Sequence, residues 1–316
     1  SGYLKANSLD FDIIKPTAEY TYEQMLHDLS VLEEKYPSHL RVESAGKSVQ
    51  GRDIPVAVIG NSEARFHILI QAAIHGREHM TALLAMAQIE YYLKHGSETF
   101  GLDTIESLLD DVCLHILPMA NPDGVTISQT QQGNSSLYTM YLRDYELGYT
   151  DLKYSDYLSQ WKSNAAGVDL NRNFNAGWSS VYSPKNPSYK DYKGKSPESQ
   201  PETQALVNYT KKYKFDATIS YHAYGSLIYW EGSASMNAVT KELALEIAAF
   251  TGYPLTGNGG LNAGGYKDWA MDVMSIPSIT IEVGTRDCPM PEIEFYSIFE
   301  RNKNVLAAAA RWVKNR

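Results

Sequence analysis

Apolar positions along the chain follow two rhythms. In "TAEYTYEQMLHDLSVLEEKYP" (17–37), Tyr22, Met25, Leu26, Leu29 and Leu32 return at helical spacing, which predicts one helix closed by Pro37. The same period predicts a helix from about Glu78 to Lys94. It predicts another in "SPESQPETQALVNYTKKYK" (196–214), with proline near its start, and helices near 237–250 and 292–314. Between them lie short apolar runs of strand length: "FHILIQAAI" (66–74), "VCLHILPM" (112–119), "ATIS" (217–220) and "SITI" (278–281). "LRVESAGKSVQGRDIPVAVIG" (40–60) reads as a hairpin around Gly51. Strands alternating with helices predict an α/β domain with a mixed, mostly parallel sheet covered on both faces.

No repeat, low-complexity tract or long linker divides the chain, so residues 1–316 are read as a single domain. The segment from Asp123 to Asp169 lacks a clear period. It is expected to hold an irregular tyrosine-rich insertion at about 125–162, either a surface excursion packed by its own aromatics or a wall over the active site.

Hydrophobic residues make up 43% of the 316 residues, enough for a full core. A net charge of -9 argues against nucleic-acid partners and anionic membrane surfaces, though not against a small basic pocket. The two cysteines, Cys113 and Cys288, are too few for a disulfide scaffold and are expected to be buried free thiols. No apolar run approaches the ~18–20 residues of a membrane span. A secreted or cell-envelope location, with a leader already removed, is preferred to a cytoplasmic one.

Each strand-like run ends in polar residues, at the edge where open α/β sheets bind ligands. "HGREH" (75–79) admits three readings: ordinary polar residues, both histidines ligating a metal from one helix face, or His75 and Glu78 as the ligand pair. The last suits the local pattern. His75 ends a strand and Gly76 is a poor helix-interior residue, so Glu78 opens the next helix close to it. A zinc site needs a third ligand, and His222, after the apolar run "ATIS", is the candidate. Asp169, in "GVDLNRNF", can accept the remaining ring N–H of a ligand histidine.

"HGRE" (75–78), "NPDG" (121–124), "GVDLNRNF" (167–174), "SYHAYG" (220–225) and "TIEVG" (280–284), in this order, resemble the zinc metallocarboxypeptidase family. The resemblance implies a mixed eight-stranded sheet flanked by helices and one Zn²⁺ per chain held by His75, Glu78 and His222. It implies Asp169 as the partner of His75 and Glu282 as the catalytic base. Asn171 and Arg172 would hold the substrate's terminal carboxylate, and Arg77 would contact the residue before the scissile bond. For the oxyanion the family has an arginine where this chain has Lys162; Arg143 is the second candidate. The family's mobile tyrosine would fall near Gly260, with Tyr266 the nearest one. His75 and His222 stand 147 residues apart, more than is typical, and the tyrosine-rich insertion accounts for the excess.

Lys267, in "GGYKDW", matches the floor of the family's specificity pocket, where a cation selects an anionic group. "WKSN", "GVDLNRNF", "GGYKDW" and "TIEVG" together are similar to the bacterial branch that cleaves γ-D-glutamyl–diamino acid bonds. The expected activity is therefore a zinc-dependent peptidase acting near the C-terminus of a muropeptide stem, at the γ-D-Glu–meso-diaminopimelate bond. The alternatives are a carboxypeptidase releasing C-terminal acidic residues from ordinary peptides and an inactive zinc-bearing peptide-binding module.

Overall fold

A computed structural model describes residues 11–232, 234–257 and 263–316. Eight strands form one sheet: β1 (Leu40–Lys47), β2 (Asp53–Ile59), β3 (Phe66–Gln71), β4 (Val112–Leu117), β5 (Ala217–Ala223), β6 (Leu227–Tyr229), β7 (Leu255–Thr256) and β8 (Ser278–Val283). Their order is β1-β2-β4-β3-β5-β8-β6-β7. The central neighbours β4/β3, β3/β5 and β5/β8 are parallel, while the hairpin β1/β2 and the pairs β2/β4 and β8/β6 are antiparallel. The sheet is thus mixed and mostly parallel, as the alternation of elements predicts.

Helices cover both faces. α1 (Tyr22–Lys35), α2 (Met80–Lys94), α3 (Ile105–Asp111), α8 (Asn237–Thr251), α10 (Phe295–Asn302) and α11 (Val305–Lys314) pack on one side with Ile68, Ile70, Leu114 and Ile219. α7 (Pro201–Lys212) and α9 (Tyr266–Asp272) pack on the other with Leu69, Cys113 and Leu117. Alternate residues of β3 feed opposite clusters, which is the period-two rule of a strand buried on both faces. In α1, Tyr22, Met25, Leu29 and Leu32 are buried, but Leu26 is half-exposed. The buried place beside it goes to Asp28, whose carboxylate accepts from Tyr20 Oη (2.7 Å) and Gln24 Nε2 (2.8 Å).

The tyrosine-rich segment departs from the expected irregularity. It is helical over α4 (Pro122–Thr130), α5 (Ser135–Glu146) and α6 (Tyr154–Ser159). These helices close a third apolar cluster of Ile127, Leu137, Tyr157, Leu158, Trp161 and Tyr189. Asp144 lies buried beside it and accepts from Tyr157 Oη (2.7 Å) and Ser188 Oγ (2.6 Å). The expected helix at 292–314 is interrupted: a 3-10 turn at Glu292–Glu294 leads into α10, and α10 and α11 break apart at Lys303–Asn304. Both cysteines are buried free thiols. No helix among the described residues is long and apolar enough to cross a membrane.

Candidate active site

The carboxyl ends of β3, β5 and β8 deliver the site. β3 ends at Gln71, not at His75: Ala72 is still tied to its neighbour, with Ala72 N bonded to Leu117 O and Ala120 N to Ala72 O, but Ala73 turns through a φ of 49° and the chain bends over Ile74 and His75. Gly76–Glu78 then form a single 3-10 turn before α2 begins at Met80. Gly76 is required at this turn: a Cβ there would lie 2.3 Å from the Gly124 carbonyl oxygen and 2.8 Å from that of Trp161. Asn121, in "NPDG", locks the crossing by donating from Nδ2 to Ile74 O (3.1 Å) and Ser163 O (3.0 Å). Asp123 of the same motif faces away and clamps the β1–β2 turn through Ser48 Oγ, Gln50 N and Arg52.

His75 and Glu78 meet as the sequence suggests. His75 Nδ1 lies 2.8 Å from Glu78 Oε1, and His222 Nδ1, on β5, lies 3.0 Å from Oε2. The potential ligand atoms of the three residues all lie within 4.8 Å of one another, and all three are buried. His79 stands outside this group. Burial lowers its pKa to about 4, and its Nδ1 has no hydrogen-bond partner among the described residues. The outer nitrogens of the two facing rings are also held: His75 Nε2 is 3.2 Å from Asp169 Oδ1, and His222 Nε2 is 3.5 Å from Asn171 Nδ2. Two imidazoles and a carboxylate with both Nδ1 atoms turned inward form a donor set that fits Zn²⁺.

The charges explain the titration of these groups. Burial opposes ionisation of Glu78, but the two imidazoles override it and hold the carboxyl well below its usual range. For His75, burial is outweighed by Glu78 and Asp169, and its pKa rises. For His222 burial outweighs the pull of Glu78, and its pKa falls. Asp169 is held low against its burial by His75, Arg172 and Lys162. Glu282 on β8 sits in register with His222 on β5. Burial, and then the Glu78 charge, push its carboxyl up to about 8.

His75, Glu78, His222 and Glu282 line a cleft of about 400 Å³, with Arg77, Lys162, Asn171, Arg172, Lys267 and Tyr224 on its walls. A larger hollow of about 550 Å³, bordered by Tyr36, His39, Tyr92 and Leu109, holds none of them. Lys162 Nζ approaches Glu78 Oε1 to 3.7 Å. Arg143 does not reach the cleft: its guanidinium donates to the Pro187 carbonyl and pairs with Asp144 at 3.3 Å, so as an oxyanion candidate it is misplaced. Tyr266 is also turned away, fully buried with its hydroxyl 2.9 Å from Thr210 Oγ1. Gly260 lies outside the described residues.

Five contacts were not read from the sequence. Gln160 Oε1 accepts from Arg77 Nη1 (2.5 Å), and Asp191 Oδ1 lies 3.8 Å from Arg172 Nη2. Asn171 Oδ1 accepts from Tyr266 N, which ties the "LNR" turn to α9. Asp268 Oδ1 is 2.6 Å from Lys267 Nζ, which also donates to Glu231 O. Asp268 adjoins Lys267 in sequence, and an adjacent acid is a signal that was available.

A mixed α/β sheet whose parallel strands end in a buried His–Glu–His cluster with a separate protonatable carboxyl defines a metal-dependent hydrolase. The sequence profile of the zinc carboxypeptidase family matches residues 25–304, and the chain belongs to that family of metallopeptidases. It is 29% identical over 305 residues to gamma-D-glutamyl-L-diamino acid endopeptidase 1 of Lysinibacillus sphaericus, covering 95% of this chain and 74% of that one. It is 25% identical to carboxypeptidase B of Canis lupus familiaris, over 88% of this chain and 66% of that one. The fold matches thrombin activatable fibrinolysis inhibitor with a TM-score of 0.75 at 20% identity, over 94% and 75% of the two chains. It matches the murein-tripeptide amidase of Escherichia coli O157 with a TM-score of 0.54 at 22% identity, over 86% and 91%.

Proposed function

We propose that the protein hydrolyses the amide bond between γ-D-glutamate and meso-diaminopimelate in a cell-wall peptide. Its zinc is held by His75, Glu78 and His222. The observation that carries this reading is the Lys267–Asp268 pair in the cleft wall. A pocket for an acidic side chain would offer an unpaired cation. Here the ammonium spends two of its three donors on Asp268 and Glu231 O, and a carboxylate sits beside it. Such a pair complements a zwitterion, and the distal centre of meso-diaminopimelate carries both an ammonium and a carboxylate. The similarity to the Lysinibacillus endopeptidase supports the same choice. A secreted or cell-envelope setting belongs with it.

Zinc, when bound, supplies a lowered pKa for water and polarisation of the scissile carbonyl. Glu282 accepts the proton of the attacking water and passes it to the leaving amine. Lys162 offsets the developing oxyanion as a point charge. Arg172, oriented by its bond to Asn171 O, and the Asn171 amide take the carboxylate next to the scissile bond. Asp169 fixes the ring of His75. Arg77, braced by Gln160, contacts the residue on the acyl side.

The test is a comparison of L-Ala-γ-D-Glu-meso-diaminopimelate with an α-linked peptide ending in Glu. The first is expected to be cut faster, and cleavage of the second alone overturns the reading. Asp268→Asn is expected to raise KM for the diaminopimelate substrate about 10-fold or more, the value of one charge-assisted contact. It is expected not to raise KM for an analogue lacking the distal amine. Equal effects on both substrates would remove the zwitterion argument.

A further inference from the structure

A second cluster of ligand-type side chains stands towards the opposite edge of the same sheet. His67 is the second residue of β3, Cys113 lies beside it in register on β4, and His115 follows two residues on. All three project onto the face covered by α7. His67 Nδ1 lies 3.0 Å from His115 Nε2, and the candidate ligand atoms of the three residues lie within 4.8 Å of one another. We propose that His67, Cys113 and His115 form a second metal-binding site, for a thiophilic ion of the Zn²⁺ type, remote from the catalytic cleft.

Donor chemistry sets the class of ion. One thiolate and two imidazoles select Zn²⁺ or Cu⁺ over Mg²⁺ or Ca²⁺, which prefer oxygen. The surroundings orient the ligands. His115 Nδ1 lies 2.8 Å from Tyr209 Oη, and that hydroxyl donates to Glu43 Oε2 at 3.4 Å. With its proton committed to Glu43, the hydroxyl accepts from Nδ1–H, so the His115 lone pair sits on Nε2 and points at His67. A ligating histidine is usually braced in this way, with an outer N–H on a hydroxyl or carboxylate relay.

Access is consistent with an ion: Cys113 and His115 are buried, whereas His67 is part-exposed and opens the cluster to solvent. Binding forms the metal–sulfur and two metal–nitrogen bonds and releases the thiol proton to solvent. His67 then carries its own proton on the other nitrogen. The ion would pin β3, β4 and α7 at the end of the sheet away from His75.

Cobalt reports on this site separately, because the catalytic set contains no sulfur. After removal of metal, wild-type protein titrated with Co²⁺ is expected to show a near-UV sulfur-to-cobalt charge-transfer band. The band should vanish in Cys113→Ala and in His67→Gln and persist in Cys288→Ala. Zinc retained after gel filtration is expected to fall from about two to about one ion per chain in His67→Gln, with kcat/KM unchanged. Absence of the band in wild type with both cobalt equivalents added overturns the site, as does its persistence in Cys113→Ala. Should Cys113→Ala not fold, the wild-type band and His67→Gln at the open side still decide. None of these readouts depends on which peptide the enzyme cleaves.

Discussion

At the scale of single residues, Glu282 has the sharpest signature. It stands between two buried groups, level with His222 and within the field of Glu78, and its carboxyl is pushed up to about 8 by burial and by that second negative charge. A raised folded pKa means that the folded protein binds this proton more tightly than the unfolded chain does. The stabilisation is complete below the unfolded value of about 4.3 and is lost as pH rises through the folded value. Glu282→Gln replaces the acid by a neutral isostere. In chelated protein it should therefore raise Tm over wild type at pH 9, and the difference should shrink towards pH 5. A difference independent of pH would mean that Glu282 is not the buried acid. In zinc-loaded protein the same variant should keep its metal and lose about 10²–10⁴-fold in kcat, the usual contribution of a positioned base. The positions of these residues were legible because apolar strands stop at polar side chains. Their partners were not. Nothing in the periodicity announces that Arg143 turns to Pro187, or that Asp191 comes to Arg172 from 19 residues away.

At the scale of elements, the site depends on a crossing of two turns. The "HGRE" turn passes so close to "NPDG" that Gly76 and the Gly124 carbonyl leave no room for a methyl group. Gly76→Ala must move backbone, since the obstacle is a carbonyl and not the tip of a flexible side chain. The expected cost is about 1–3 kcal/mol of stability. Weaker zinc retention should accompany it, because His75 and Glu78 flank the displaced residue; unaltered Tm and zinc content would show that the turn has slack. The sequence placed this turn correctly through glycine's poor helix propensity. It failed on the insertion for an equally physical reason. In α5 only Leu137 and Asp144 are buried, while Tyr138 and Tyr145 are exposed, so aromatic residues fall on every face and blur the helical period. The break between α10 and α11 is hidden in the opposite way. Ile298, Phe299, Asn302, Val305 and Leu306 are buried on both sides of it, and the pattern runs on through the interruption.

At the scale of the whole molecule, the catalytic centre concentrates charge that the fold alone does not balance. Glu78, Asp169 and Glu282 converge on two imidazoles inside a protein whose net charge is already -9, with Lys162 3.7 Å from Glu78 and Arg77 and Arg172 on the cleft walls. The sheet faces are held by apolar clusters that do not include these groups, so the strands should survive removal of the ion. A dication bound by the folded state alone stabilises by RT ln(1 + [L]/Kd), about 4 kcal/mol at a thousandfold excess over Kd. For a chain of this size that corresponds to a Tm shift on the order of 10 °C. Chelation should therefore lower Tm by that order without loss of far-UV circular dichroism, and zinc should restore it in proportion to the logarithm of its free concentration. Carried out in His67→Gln, the titration reports the catalytic centre alone. The deficit should also widen from pH 6 to pH 9, because the proton that relieves Glu282 in the metal-free protein is lost over that range while the cation's attraction for the carboxylates persists. A Tm indifferent to chelation at every pH would mean that the His75, Glu78 and His222 cluster is held together by its own hydrogen bonds and grips no ion.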